Sequence, residues 1–172
     1  MNQSVTLRKS YTFNDYRTYI LATLFIAGNI ILPQICHLVP QGGLVFLPIY
    51  FFTLIGALVF GWQVGLLTAL LSPLANHLLF AMPPLAMLPV IEVKSVILAL
   101  VAGVAMARVA KLNFAAVVAI VLGSQILGSI FELAWTGSMA TAMGDFRIGL
   151  PGICIQIVAG CLCLRILSRK NH

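Results

Sequence analysis

Six continuous apolar runs, at residues 19–36, 44–60, 64–82, 85–107, 112–135 and 148–167, follow one another along almost the whole chain. A helix of about 20 residues crosses the hydrocarbon core of a bilayer, and all but the short second run approach that length. Helices are required there because a backbone in lipid has to satisfy its own hydrogen bonds. The runs do not alternate in polarity, so they do not describe barrel strands. Only 8% of the 172 residues are charged, against about 25% in soluble domains. The expectation is an all-α integral membrane protein: one six-helix bundle over residues 1–172, with a polar segment, residues 1–18, before the first span. That leaves no room for a separate soluble catalytic domain, so any function sits among the helices.

The basic residues orient this bundle. Arg8, Lys9 and Arg17 precede the first run, Arg108 and Lys111 separate the fourth from the fifth, and Arg165, Arg169 and Lys170 follow the last. The alternate loops hold only Arg147. Basic residues stay on the cytoplasmic side, so both termini are expected in the cytoplasm of a bacterium, with the chain multi-pass in its inner membrane. The net charge of +6 belongs to this asymmetry and does not point to nucleic acid. The first run is expected to be retained, since no small-residue cleavage site follows it and Ile35 precedes Cys36. Cys36, Cys154, Cys161 and Cys163 show no C-x-x-C or Cys/His ligand spacing and read as small apolar helix residues, with no metal site.

Against this background the stretch MLPVIEVKSVILALVAG stands out, because it places Glu92 and Lys94 inside an apolar run. Charges in that position are costly and face a bundle interior or a cavity. With cytoplasmic termini, the two lie roughly 10–13 Å below the outer start of their span. Asn76 and His77 fall near the outer end of the third run, Glu132 and Trp135 in the last turns of the fifth, Arg147 at the start of the sixth, and His37 where the first emerges. Gln125, Gly128, Glu132 and Trp135 recur at helical spacing on one face. The polar side chains thus gather in the outer half of the membrane, as a ligand-filled or solvated pocket would require. Glu92 and Lys94 are about 200° apart around their helix; Glu92 is expected to contact the ligand, and Lys94 to be supported by an acid on a neighbouring helix. A pocket holding an acid, a base and Trp135 suits a polar, zwitterionic or ring-containing metabolite.

Catalytic patterns are missing: there is no H-E-x-x-H, no G-x-S-x-G and no Walker sequence. The chain is not expected to be an enzyme, and any ATP-driven step has to come from partner subunits.

LPIYFFTLIGALVFGWQVGLLTALLSPLANHLLFAMPP followed by LAMLPVIEVKSVILALVAGVAMAR resembles the substrate-binding S components of energy-coupling-factor (ECF) vitamin transporters, and the likeness in order and topology covers nearly the whole chain. The resemblance implies a protein that captures a micronutrient from outside and docks onto a transmembrane coupling protein with two ABC ATPases, needing no cofactor of its own. By position it places residues 37–43 in a gate and Glu92, Lys94, Glu132 and Trp135 in the pocket. The family's small-residue docking strip is matched imperfectly by Ala22, Thr23 and Ala27; Gly103-x-x-x-Ala107 reads as ordinary helix packing. The chain begins Met1-Asn2 where metal-carrying relatives begin Met-His, so nickel and cobalt are not expected. Two rival classes share the topology: a rod-shape membrane scaffold of the MreD type, which has no need of outer polar residues, and a self-sufficient secondary carrier, which would show repeats or broken helices.

Overall fold

A computed structural model describes residues 11–108 and 114–170, with side chains as far as Ile166. Arg8, Lys9 and Lys111, and the side chains of Arg169 and Lys170, lie outside the described residues, as does the start Met1-Asn2. Among the described residues all regular structure is helical: α1 (Tyr16–Cys36), α2 (Gly42–Phe46), a 3-10 turn (Pro48–Tyr50), α3 (Phe51–Phe60), α4 (Trp62–Phe80), α5 (Leu88–Arg108), α6 (Phe114–Thr136), α7 (Met139–Ala142), α8 (Gly144–Arg147) and α9 (Leu150–Lys170).

Local chemistry sets these boundaries. The Asp15 carboxylate caps α1 by accepting from the Arg17 N–H at 2.9 Å, as N-cap side chains do. Gly61, at φ 104°, is the single residue that turns α3 into α4; a side chain is disfavoured in that backbone region. The second apolar run, expected as one short span, is broken. Pro48 has no N–H to donate and disfavours helical geometry in the residue before it, and Leu47 sits in the left-handed region at φ 47°.

Five segments are long and apolar enough to cross a membrane: α1, the broken unit Gly42–Phe60, α4, α5 and α6. By length and composition this is a multi-pass membrane protein. The apolar part of α9, Leu150–Ile166, is shorter. Leu54, Leu58, Leu98, Val117, Val121 and Ile153 fill a core between α3, α5, α6 and α9, while Ile20, Leu24, Ile31, Ile126 and Ile130 point outward, as lipid-facing positions do.

Polar side chains bind α1, α3 and α4 together. The Asn29 amide donates to the Thr53 and Ser72 hydroxyls at 3.2 Å each and accepts from the Phe52 N–H. Asn76 donates to the Asn29 carbonyl at 2.8 Å. Such bonds join helices where water cannot compete. Ala22 packs with Phe25 and Val64 on the same side and is 2% exposed, whereas Thr23 and Ala27 face outward. The expected docking strip is therefore divided: Ala22 belongs to the interior because a one-residue step turns a helix by about 100°. Gly103 packs on the backbone of Trp62 and Ala107 is exposed, so Gly103 serves packing inside the chain.

Candidate functional site

The end of the bundle formed by the C-termini of α1, α4 and α6 and the N-termini of α5 and α9 carries two separate polar features. One is an ion cluster. Lys94, on α5, donates from Nζ to Glu132 Oε2 on α6 and, at 2.9 Å, to Asp145 Oδ2 on α8. Lys94 is 6% exposed and Glu132 3%. Gly128 allows the lysine stem to cross to α6, because a Cβ there would lie 2.7 Å from Lys94 Cγ. Beside the cluster, Tyr50, Leu98, Ser124 and Gln125 enclose a space of about 10 Å³, room for about one water molecule. Two carboxylates around one ammonium hold the cluster together by mutual attraction and leave no cation to offer a solute.

The other feature is a cavity of about 640 Å³, within the range of small-molecule sites. Pro33, Gln34 and His37 from the end of α1 line one side, Asn76 from α4 and Ile91 from α5 another. The loop after α1 contributes Val39 to Gln41, and the loop before α5 contributes Met82 to Pro84 and Met87. No Asp, Glu, Lys or Arg lines it. Asn76 is 2% exposed, and its Nδ2 is committed to the carbonyls of Asn29 and Ser72, so its Oδ1 is left without a partner; Gln34 Nε2 is likewise buried and unpaired.

The expected site residues are distributed over both features and beyond them. Lys94, Glu132 and Gln125 meet at the ion cluster; His37 and Asn76 meet at the cavity. His77 lies behind the cavity wall, its Nδ1 donating to the Pro83 carbonyl at 2.8 Å and so steadying a lining loop. Glu92 is half-buried, lines neither cavity and makes no hydrogen bond or ion pair among the described residues. Trp135 turns outward, 58% exposed, and stacks on Phe131. Arg147 is exposed at the end of α8.

Sequence reasoning did not assign Gln34, Asn29 or Asp145 to the site. The first two are isolated polar residues in the C-terminal half of an apolar helix, a signal available from the pattern; Asp145 sits in a short loop helix whose return over Lys94 no local pattern encodes. Among the described residues no group of three His, Cys, Asp or Glu side chains is placed to hold a metal ion. Comparison with known proteins finds no relative: no family model, no curated protein and no solved structure matches the chain.

Proposed function

We propose that this chain is the substrate-binding subunit of an ATP-driven uptake system of the ECF type in a bacterial cytoplasmic membrane. It crosses the membrane six times with both termini in the cytoplasm and captures a vitamin-like micronutrient at the outer face. It delivers that solute through a transmembrane coupling protein with two ABC ATPases. The observation that carries the reading is the 640 Å³ cavity at the end of the bundle that the basic-residue asymmetry assigns to the outside. A scaffold has no use for such a cavity or for the buried, unpaired amide atoms in its wall.

The orientation is tested with reporter fusions at Lys170, which should be active only as cytoplasmic reporters; an external C-terminus removes one span from the proposal. In liposomes the purified chain should retain solute without accumulating it, and accumulation should require the coupling protein, the ATPases and ATP. The break at Leu47–Pro48 keeps the secondary carrier as a second reading, since carriers form their sites at discontinuous helices. Accumulation driven by an ion gradient alone would establish it. Docking is placed on the outward face of α1 at Thr23 and Ala27. Ala27→Trp should abolish assembly with the coupling protein and leave solute binding intact; Ala22→Trp should disturb folding instead, because Ala22 is enclosed by Phe25 and Val64.

A further inference from the structure

We infer that Asp145 is a positioning residue for the cavity: its bond to Lys94 is the releasable arm of a latch that holds one wall, residues 41–50, in place. When that arm lets go, the wall is free to move. The inference rests on the reading of the cavity as the solute site and adds a control on it.

This wall is seated between the ion cluster and α9. Gln41, Gly43, Leu44, Pro48 and Ile49 line the cavity, and Tyr50, the next residue, shares the small space beside the cluster with Lys94. Gln41 at φ 58° and Leu47 at φ 47° are in the left-handed region, which residues with a Cβ keep only where their surroundings impose it. For Leu47 those surroundings are the start of α9. A Cβ at Gly149 would lie 2.8 Å from Leu47 Cδ1, and one at Gly152 would lie 2.5 Å from the Phe46 carbonyl and 3.0 Å from Leu47 Cβ. Gly149 is equally close to the Asp145 carbonyl oxygen, 2.7 Å by the same measure. Asp145, the start of α9 and Leu47 thus rest one on the next, and the Asp145 carboxylate, 2.9 Å from Lys94 Nζ, ties them to α5.

Charge and exposure decide which arm lets go. One ammonium and two carboxylates leave the cluster with a formal charge of −1, so the pair of Lys94 with Glu132 is complete without Asp145. The Glu132 side chain is 4% exposed and lies within α6, where a carboxylate stripped of its cation is strongly disfavoured. The Asp145 side chain is 16% exposed, on the four-residue α8 in the connection between α6 and α9. A carboxylate released there turns into water. Short connecting elements also open locally at lower cost than packed helices. Release of Asp145 therefore leaves the buried pair intact while removing the tie that keeps α8 and the start of α9 against Leu47.

The test reads amide hydrogen exchange by mass spectrometry on the full chain in lipid nanodiscs at neutral pH, with no solute added. Asp145→Ala should speed exchange about tenfold in residues 143–149 and also in residues 42–50, as expected for the loss of one charge-assisted hydrogen bond. Residues 66–76 of α4 should keep the parent rate. Asp145→Glu, which retains the carboxylate, should stay within about twofold of the parent in both segments. Gly152→Ala breaks the same chain of contacts one step further on, because its Cβ meets the Phe46 carbonyl. It should loosen residues 42–50 about tenfold and leave residues 143–149 at the parent rate. Loosening of 143–149 alone in Asp145→Ala, equal loosening of all three segments, an Asp145→Glu chain as loose as Asp145→Ala, or unaltered exchange of 42–50 in Gly152→Ala overturns the inference. These outcomes do not depend on whether the cavity takes a solute; that reading stands or falls on retention of solute by the chain in liposomes.

Discussion

Lys94→Met should destabilise the protein by about 3–5 kcal/mol, the loss that follows when one partner of a buried ion pair is removed and its counterpart stays behind. Here the counterparts are two carboxylates, Glu132 and Asp145, held around the same ammonium. Without Lys94 they face each other, Glu132 buried and Asp145 partly exposed. The triple variant Lys94→Met, Glu132→Gln, Asp145→Asn should recover much of the loss, because no charge is then left unpaired. Glu92→Gln, two residues from Lys94, should change stability by no more than about 0.5 kcal/mol, since Glu92 has no ion pair among the described residues. Reversible unfolding in mixed micelles, with solute affinity measured on the same samples, distinguishes the roles. A Lys94→Met protein as stable as its parent but unable to bind solute would make the lysine a ligand contact and separate the cluster from structure.

Gly65→Val should cost about 3 kcal/mol. The α3–α4 turn is a single glycine, and the two helices leave it so close that a Cβ at position 65 would lie 2.5 Å from Ala57 Cβ and 2.9 Å from Ala57 Cα. The obstruction includes backbone, so no rotamer change relieves it, and overfilled sites of this kind typically lose 1–3 kcal/mol, occasionally more. Separation of α3 from α4 would also disturb the Asn29–Thr53–Ser72 bonds above it. Gly123→Ala on α6 is the control: a Cβ there meets nothing within 4 Å, and alanine favours a helix over glycine by about 1 kcal/mol. Equal stability of Gly65→Val and the parent would show that α3 and α4 are free to move apart.

The helical class and the place of the long helices were legible in the chain, because the cause is local. Long apolar runs between Pro, Gly and charged residues have one way to satisfy their backbone in lipid, and the helices Tyr16–Cys36, Trp62–Phe80, Leu88–Arg108 and Phe114–Thr136 follow those runs within a few residues. The exception, Gly42–Phe60, was legible in part: Pro48 was visible, but the left-handed Leu47 that turns the chain there is held by Gly152 of α9, whose position would be filled by a Cβ.

The site was less legible. Periodicity placed Gln125, Gly128 and Glu132 on one face of α6 correctly and continued that face to Trp135, which the structure turns outward. In a water-soluble helix the polar side identifies the surface; in a membrane both sides are apolar, and the pattern no longer says which side meets a neighbour. Glu92 and Lys94 are two residues apart and about 200° apart on their helix, so the sequence required that they serve different surroundings and could not assign them. The chain by itself determined that charges lie within an apolar span and that polar groups gather at one end. Only the packing of α5 against α6, with Gly128 opening a passage and α8 folding back to bring Asp145, decided that Lys94 is consumed in an ion cluster. The crossing of α1 and α4 likewise left one oxygen of Asn76 and one nitrogen of Gln34 buried without partners, both on residues of a cavity lined by no Asp, Glu, Lys or Arg. Helix formation depends on neighbours in sequence; which polar atoms are satisfied depends on the rotation and approach of whole helices, and those are properties of the assembled bundle.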